Sequence, residues 1–519
     1  MQGDVVNLAA QLSASAARLP VKPALLHRGA ATSYAELEAR VARGAAALVA
    51  LGLSPHQGAA PGDRVALMLD NSPAFVEACF AVLRAGLVAV PLNPGFTRDE
   101  VGAIVADSGA RAAIVAEPHL AALHPRAADA AGLEHVLVPG VDDPPDEHLS
   151  WERLVAETDP GAVAEAGPDA LAVLGYTSGT TGQAKGAMLS HANLAANHRQ
   201  LAQTRLRIEE SDVVLGVLPL SHIYGLNVVM AFALARGATL LLQERFDPGE
   251  TLDAVERQRV TVLVGAPPMY VAWGHMPGAA ERDLASVRFA VSGAAPLPAH
   301  ALEHCRDVLG ITVWEGYGLT ETGPVLTTMA MSEQPKPGCV GRPVPEVGLR
   351  LVDDDGEPVR RGDPGEVVVR GPNVFSGYWQ RPEETAAVLD RAGWFRTGDV
   401  GYADDDGDLH LVDRKRDLIL VSGFNVYPRE VEEVLVRHPG VAQAAVVGAP
   451  NPATGECVQA FVVPAGGAAL TADELTAFAR RHLARFKVPE HVEFVDALPL
   501  LPTGKVRRRA LRGTRAGGL

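Results

Sequence analysis

From about residue 30 to residue 320 the chain alternates between two apolar spacings. Short aliphatic and β-branched runs are followed by stretches in which apolar residues recur every three or four positions, the pattern of a parallel sheet with crossover helices. The first clear unit spans 64–92. Residues 65–69 read as a strand, Ser72 as a helix cap with Pro73 at the first helical position, and 87–91 as the next strand. Just upstream, Ser33 and Glu36 form a capping-box pattern that opens a helix running to about 51. A second series begins with a strand at 170–176 and continues through apolar strands at 213–218, 238–242, 260–264, 287–291 and 311–314. Two stacked αβ sheet modules, about 1–165 and 166–335, are the economical reading. From 340 to 412 the runs shorten and carry turn sequences such as Asp354-Asp355-Gly356 and Asp406-Gly407, which predicts an antiparallel β subdomain over 336–413. The last hundred residues read as a separate small α/β unit, bordered by the charged run Asp413-Arg414-Lys415-Arg416-Asp417.

The 519 residues exceed one ordinary core, and 47% hydrophobic with 21% charged residues is a globular composition. A net charge of −16 argues against a nucleic-acid partner. The one dense basic cluster is the tail containing Lys505, Arg507, Arg508, Arg509, Arg512 and Arg515, which reads as a solvated face. The four cysteines contain no C-x-x-C pair, and the first nineteen residues lack the basic and apolar regions of a signal peptide, so a reducing, cytoplasmic setting is expected. Arg84 and Arg236 interrupt the longest apolar runs, and no stable membrane insertion is expected.

The strongest local signal is Tyr176-Thr177-Ser178-Gly179-Thr180-Thr181-Gly182-Gln183-Ala184-Lys185-Gly186, directly after a buried-type strand. Glycines free the backbone amides, the hydroxyls add donors and Lys185 adds charge, which together make a phosphate cradle. It departs from the P-loop pattern, with Ala184 in place of the glycine before the lysine and Gly186 in place of the hydroxyl. His300-Ala301-Leu302-Glu303-His304 matches H-x-x-E-H, but no third metal ligand is evident and 298–309 reads as an exposed amphipathic helix. No G-x-S-x-G elbow supports a serine hydrolase.

With four further segments, this loop resembles the adenylate-forming superfamily of acyl-CoA synthetases, peptide-synthetase adenylation domains and luciferases, most of all the long-chain-fatty-acid–CoA ligases. The segments are Leu218-Pro219-Leu220-Ser221-His222-Ile223-Tyr224-Gly225, Tyr317-Gly318-Leu319-Thr320-Glu321-Thr322-Gly323-Pro324, Trp394-Phe395-Arg396-Thr397-Gly398-Asp399, and the stretch 413–430 together with Leu501-Pro502-Thr503-Gly504-Lys505. The resemblance implies a large N-terminal domain over 1–413, a hinge at 414–416 with Arg416 as pivot, and a mobile α+β C-terminal domain over 417–519. It implies ATP, Mg²⁺ and coenzyme A as cofactors. Thr177, Ser178, Gly179, Thr180, Thr181, Lys185 and Thr320 would then meet the phosphates. Gly293, Ala294, Ala295, Gly316, Tyr317 and Gly318 would flank the adenine, while Asp399 and Arg414 would hold the ribose. Glu321 would carry the metal. Lys505 would bridge carboxylate and α-phosphate in adenylation, Ser422 and Gly423 would pass the pantetheine arm, and His222, Tyr224, Gly225, Val264 and Ala266 would line the acyl site. The same resemblance makes Lys505 a target for a protein lysine acetyltransferase, and leaves monomer and homodimer both open.

The expected reaction is attack of a carboxylate on the α-phosphate of ATP, releasing pyrophosphate, then displacement of AMP by the thiol of coenzyme A. The peptide-synthetase adenylation domains that the chain resembles usually place an aspartate in the stretch corresponding to 221–224, and its absence here disfavours an amino acid substrate. The stretches expected to line the acyl tunnel, 222–235, 264–273 and 292–295, offer no arginine or lysine to pair with a second carboxylate. A medium- or long-chain fatty acid is the expected acid. An acyl-AMP ligase, a ligase for an aromatic, short-chain or dicarboxylic acid, and a silent nucleotide-binding homologue are the alternatives.

Overall fold

The computed structural model describes residues 7–512 apart from 59, 124–131, 146–147, 163, 165, 178–183, 415–416, 422–423, 452–453, 467–469 and 501–505. The chain divides into two compact units, 1–348 with 370–395, and 349–369 with 396–519.

The first unit is α/β and holds two sheets, as the alternating pattern predicts. Among the described residues one sheet has nine strands, in the order Arg342–Pro343, Val325–Thr328, Val313–Gly318, Phe289–Ser292, Val262–Gly265, Val213–Gly216, Thr239–Leu242, Pro23–His27 and Ala30–Ser33. The six from Val313–Gly318 to Pro23–His27 are parallel. The other sheet has seven, in the order Leu149–Ser150, His135–Val138, Ala110–Val115, Arg64–Met68, Val88–Pro91, Leu171–Thr177 and Lys185–Ser190, with only the last pair antiparallel. Local signals place the elements well. Ser33 and Glu36 close the expected capping box on helix Tyr34–Ala50, and Ser72 caps Pro73–Arg84 with the proline in its first turn.

The module boundaries need correction. Strands Pro23–His27 and Ala30–Ser33 join the later sheet, where Leu25 pairs with Leu240, while Leu171–Thr177 and Lys185–Ser190 join the earlier one. A continuous apolar run shows that a strand is buried on both faces but carries no mark of its neighbour. Asn71, 4% exposed, joins the two sheets. Its amide donates to the Gly216, Leu218 and Gln243 carbonyls at 3.3, 2.9 and 3.2 Å and accepts from Leu220 N at 2.9 Å.

The second unit contains a four-stranded sheet in the order Gly348–Val352, Gly365–Arg370, Phe395–Ala403 and Leu409–Arg414, its last pair antiparallel as the turn sequences predict. Its strands group with the C-terminal residues, so the charged run at 413–417 falls inside this unit. A further sheet is built on the hairpin Val441–Asn451 and Gly455–Pro464, with His491–Phe494 parallel to the latter. Helices Pro428–Val436 and Ala472–His482 bury Val431, Leu435 and Leu475 with Ile419, Val446 and Val458. Among the described residues no helix is long and apolar enough to cross a membrane.

Candidate active site

Parallel strands end together, and the carboxyl edge of the nine-stranded sheet gathers candidates that the sequence scatters. Gly265, Ser292 and Glu315 lie side by side in register. The next positions, Ala266, Gly293 and Gly316, therefore form one row at the edge where open α/β sheets bind ligands. Val264 sits one step inside, opposite Val291. Ala294 follows with φ +70 and is exposed, while Ala295 and Tyr317 are half-buried.

Tyr224 opens a π-helical turn, Tyr224–Ala231, buried throughout; such turns are rare and recur at functional sites. Its backbone N–H donates to His222 Nδ1 at 3.2 Å. The ring lies against Gly293, where an added Cβ would stand 3.1 Å from two ring carbons, so a larger residue would require the ring to shift by a few tenths of an ångström. Tyr270 packs likewise over Gly265, its hydroxyl donating to the Val291 carbonyl at 2.8 Å. The Tyr224 hydroxyl differs, being fully buried without a hydrogen-bond partner, as is Ser292 Oγ. Burial pushes the Tyr224 phenol above its ordinary range, so it stays a protonated donor.

The phosphate-loop motif forms the connection of an antiparallel pair in which Thr177 faces Lys185. Ser178, Gly179, Thr180 and Thr181 lie outside the described residues. Gly175, two positions before the pair closes, passes so near Thr320 that a Cβ would be 2.6 Å from the threonine methyl. The structure thus brings the strand that leads into the loop against the Thr320–Thr322 turn. Three buried asparagines grip that turn: Asn373 donates to the Thr322 carbonyl at 2.8 Å, Asn227 to Gly323 at 2.7 Å, and Asn197 to Val325 at 2.9 Å.

Glu321 is 7% exposed and its Oε1 accepts from the Tyr378 hydroxyl at 2.9 Å. A buried carboxylate is a hard oxygen ligand, so Glu321 fits Mg²⁺. The Tyr378 ring also lies 5.2 Å from Lys185 Nζ, which pairs with Glu384 at 2.8 Å. One residue thus braces both charged groups, and sequence reasoning missed it. Asp107 was missed too: it accepts from Tyr176 Oη at 2.7 Å and from Arg381 at 2.6 Å, and its carbonyl accepts from Trp379 Nε1 at 3.2 Å.

In the second unit, Asp399 is 6% exposed and stands opposite Arg414 in strand register, which makes the expected ribose pair cross-strand neighbours. Arg416, Ser422, Gly423 and Lys505 lie outside the described residues. His304 of the H-x-x-E-H sequence bonds the Gly274 carbonyl at 2.7 Å and its ring lies tilted 4.9 Å from that of His275; it serves the packing of helix Ala299–Leu309.

The family model for AMP-binding enzymes matches residues 12–379, and that for the AMP-binding enzyme C-terminal domain matches 430–505. A feruloyl-CoA synthase of Amycolatopsis sp is 42% identical, covering 95% of this chain and 96% of its own. A long-chain-fatty-acid–CoA ligase of Bacillus subtilis is 36% identical over 96% and 93%. The crystal structure of ATP-bound MatB from Rhodopseudomonas palustris superposes with a TM-score of 0.90 at 36% identity over 98% of each chain.

Proposed function

The chain belongs to the AMP-binding enzyme family as an acid–thiol ligase that uses ATP, Mg²⁺ and coenzyme A, and on that premise we propose that its acid is a compact aromatic carboxylic acid bearing a polar ring substituent, of the hydroxycinnamate class. The unpartnered Tyr224 hydroxyl carries this reading. An unsatisfied buried hydroxyl costs about 1–3 kcal/mol, and a straight alkyl chain would leave that cost standing. A phenol or methoxy group on the substrate would remove it. Tyr224 and Tyr270, stacked on Gly293 and Gly265, also close off the strand ends with aromatic rings, which supports a short flat pocket over a long tunnel. The sequence preference for a fatty acid rested on the absence of a basic residue for a second carboxylate, which excludes a second charge but does not distinguish an alkyl chain from an aromatic ring.

In this reading Thr320 and the loop after Thr177 position the phosphates, and Glu321, held by Tyr378, carries Mg²⁺, which neutralises phosphate charge when bound. Lys505 supplies a point charge to carboxylate and α-phosphate for adenylation. Ser422 and Gly423 serve the thiol step, and Arg416 is the pivot between the two. A cytoplasmic location belongs to the same proposal, supported by four buried cysteines that form no disulfide.

The test is ATP–pyrophosphate exchange over ferulate, 4-hydroxycinnamate, cinnamate, malonate and C6 to C18 fatty acids. Highest kcat/KM is expected for a ring-hydroxylated acid. A higher value for any fatty acid would overturn the aromatic reading in favour of the second one, which the Bacillus subtilis relative supports.

A further inference from the structure

The second unit holds a cluster that adenylation and thioester formation leave unused. Cys457 lies on strand Gly455–Pro464, opposite Ala449 of the hairpin, and is 3% exposed. The next residue, Val458, accepts through its carbonyl from Glu490 N at 2.9 Å, and His491 begins the strand that follows. The Cys457 sulfur, a Glu490 carboxylate oxygen and a His491 ring nitrogen lie within 4.8 Å of one another. Asn451, at the far end of the hairpin, donates to both Glu490 carboxylate oxygens at 3.2 and 3.0 Å and so orients that carboxylate.

We propose that Cys457, Glu490 and His491 form a binding site for a thiophilic divalent cation of the Zn²⁺ class, with a fourth position open to water. Tetrahedral Zn²⁺, with bonds of about 2.0–2.3 Å, sets its donor atoms about 3.4–3.6 Å apart. Glu490 and His491 are exposed, so their side chains can close the remaining distance without moving the strands. One sulfur, one nitrogen and one oxygen donor favour a borderline metal over Mg²⁺, which prefers oxygen throughout. The catalytic cation therefore does not compete. Burial, reinforced by the Glu490 charge, holds the Cys457 thiol protonated in the metal-free protein. Binding replaces that proton: the S–H bond breaks, a sulfur–metal bond forms, and one H⁺ passes to solvent. A bound ion would fasten the hairpin end to the start of the last strand. With no metal role, Cys457 would be a packed core thiol and Asn451 to Glu490 an ordinary surface contact.

The test uses the full chain, stripped with a chelator and kept in excess Mg²⁺, titrated with Co²⁺ and then Zn²⁺. One equivalent of Co²⁺ should bind with a thiolate-to-cobalt charge-transfer band and be displaced by Zn²⁺. Cys457→Ser should lose the band. His491→Ala, an exposed change that leaves the core intact, should weaken Zn²⁺ at least about 10-fold. Binding without the band, a band that survives Cys457→Ser, unsaturable uptake by an adventitious ion only, or equal affinity in His491→Ala would each overturn the proposal. None of these readouts depends on which acid the enzyme activates.

Discussion

Tyr224→Phe removes one oxygen and leaves the ring on Gly293, so its effects can be assigned to the hydroxyl. In the unliganded protein that hydroxyl is buried without a partner, a cost of about 1–3 kcal/mol that phenylalanine does not bear. The variant should therefore be more stable by about 1 kcal/mol or more, measured by denaturant unfolding as a raised midpoint at unchanged slope. Its catalysis should move the other way. When a hydroxylated acid fills the site, the wild-type phenol gains a hydrogen bond worth about 1 kcal/mol and sheds the burial cost. The hydrogen bond with even a fraction of the burial cost amounts to about 1.4 kcal/mol, or tenfold. The ratio of kcat/KM for 4-hydroxycinnamate over cinnamate should fall about tenfold or more in the variant, with the value for cinnamate nearly unchanged. Destabilisation by Tyr224→Phe, or equal loss on the two acids, would refute the argument, since either result means the hydroxyl already has a partner.

Tyr378→Phe keeps the ring near Lys185 and removes the bond to Glu321; a bond to a charged group is worth about 1.5–3 kcal/mol, so pyrophosphate exchange should fall at least about tenfold and the apparent affinity for Mg²⁺ with it. Gly175→Ala sets a Cβ 2.6 Å from the Thr320 methyl, and this overpacking should destabilise by about 1–3 kcal/mol and slow adenylation more than thioester formation from preformed acyl-AMP. Burial pushes His191 and His198 down to about 4 from an ordinary 6.5, so the unfolded chain binds protons that the folded one refuses. Stability is full above pH 6.5 and is lost as pH falls toward 4, by on the order of 3 kcal/mol per histidine at 1.36 kcal/mol per pKa unit; urea titrations across that window should show the loss, and His198→Gln should reduce it. Lys505→Ala should lose about 10²-fold or more in pyrophosphate exchange yet still make thioester from preformed acyl-AMP; wild-type exchange would remove Lys505 from the mechanism.

Much of the fold is local chemistry and was legible as such. Ser33 with Glu36, and Ser72 with Pro73, are satisfied within three residues, so sequence suffices to place those helix starts. The Thr320-Glu321 turn and the glycines at 293 and 316 stand out in the sequence because unusual residue types stand in order along the chain, and the structure places 293 and 316 in one row at the sheet edge. Strand neighbours were not legible. Leu25 reaches Leu240 across the molecule, and its apolar run would suit any buried position. The supports of the site were hidden for a similar reason. Asn197, Asn227 and Asn373 look like isolated polar residues until the fold brings each to the Thr320 turn, although an asparagine inside the apolar run 225–234 is itself a hint that a buried partner exists. Tyr378 and Asp107 act through groups about 57 and 69 positions away, where no spacing rule reaches.

The excursion of residues 370–395 back into the first unit has a consequence for anyone recombining these enzymes. That segment carries Tyr378, while the sheet strands on either side of it, at 349–369 and 396–414, go with the other unit. A chimera joined near 396 would splice a foreign half-sheet onto two resident strands, placing the seam inside a hydrogen-bonded ladder. One joined near 348 would bring its own donor tyrosine to a resident glutamate. Neither crossover respects both cores at once. A clean exchange takes two crossovers more, keeping 370–395 with the recipient and importing 349–369 together with everything beyond 395.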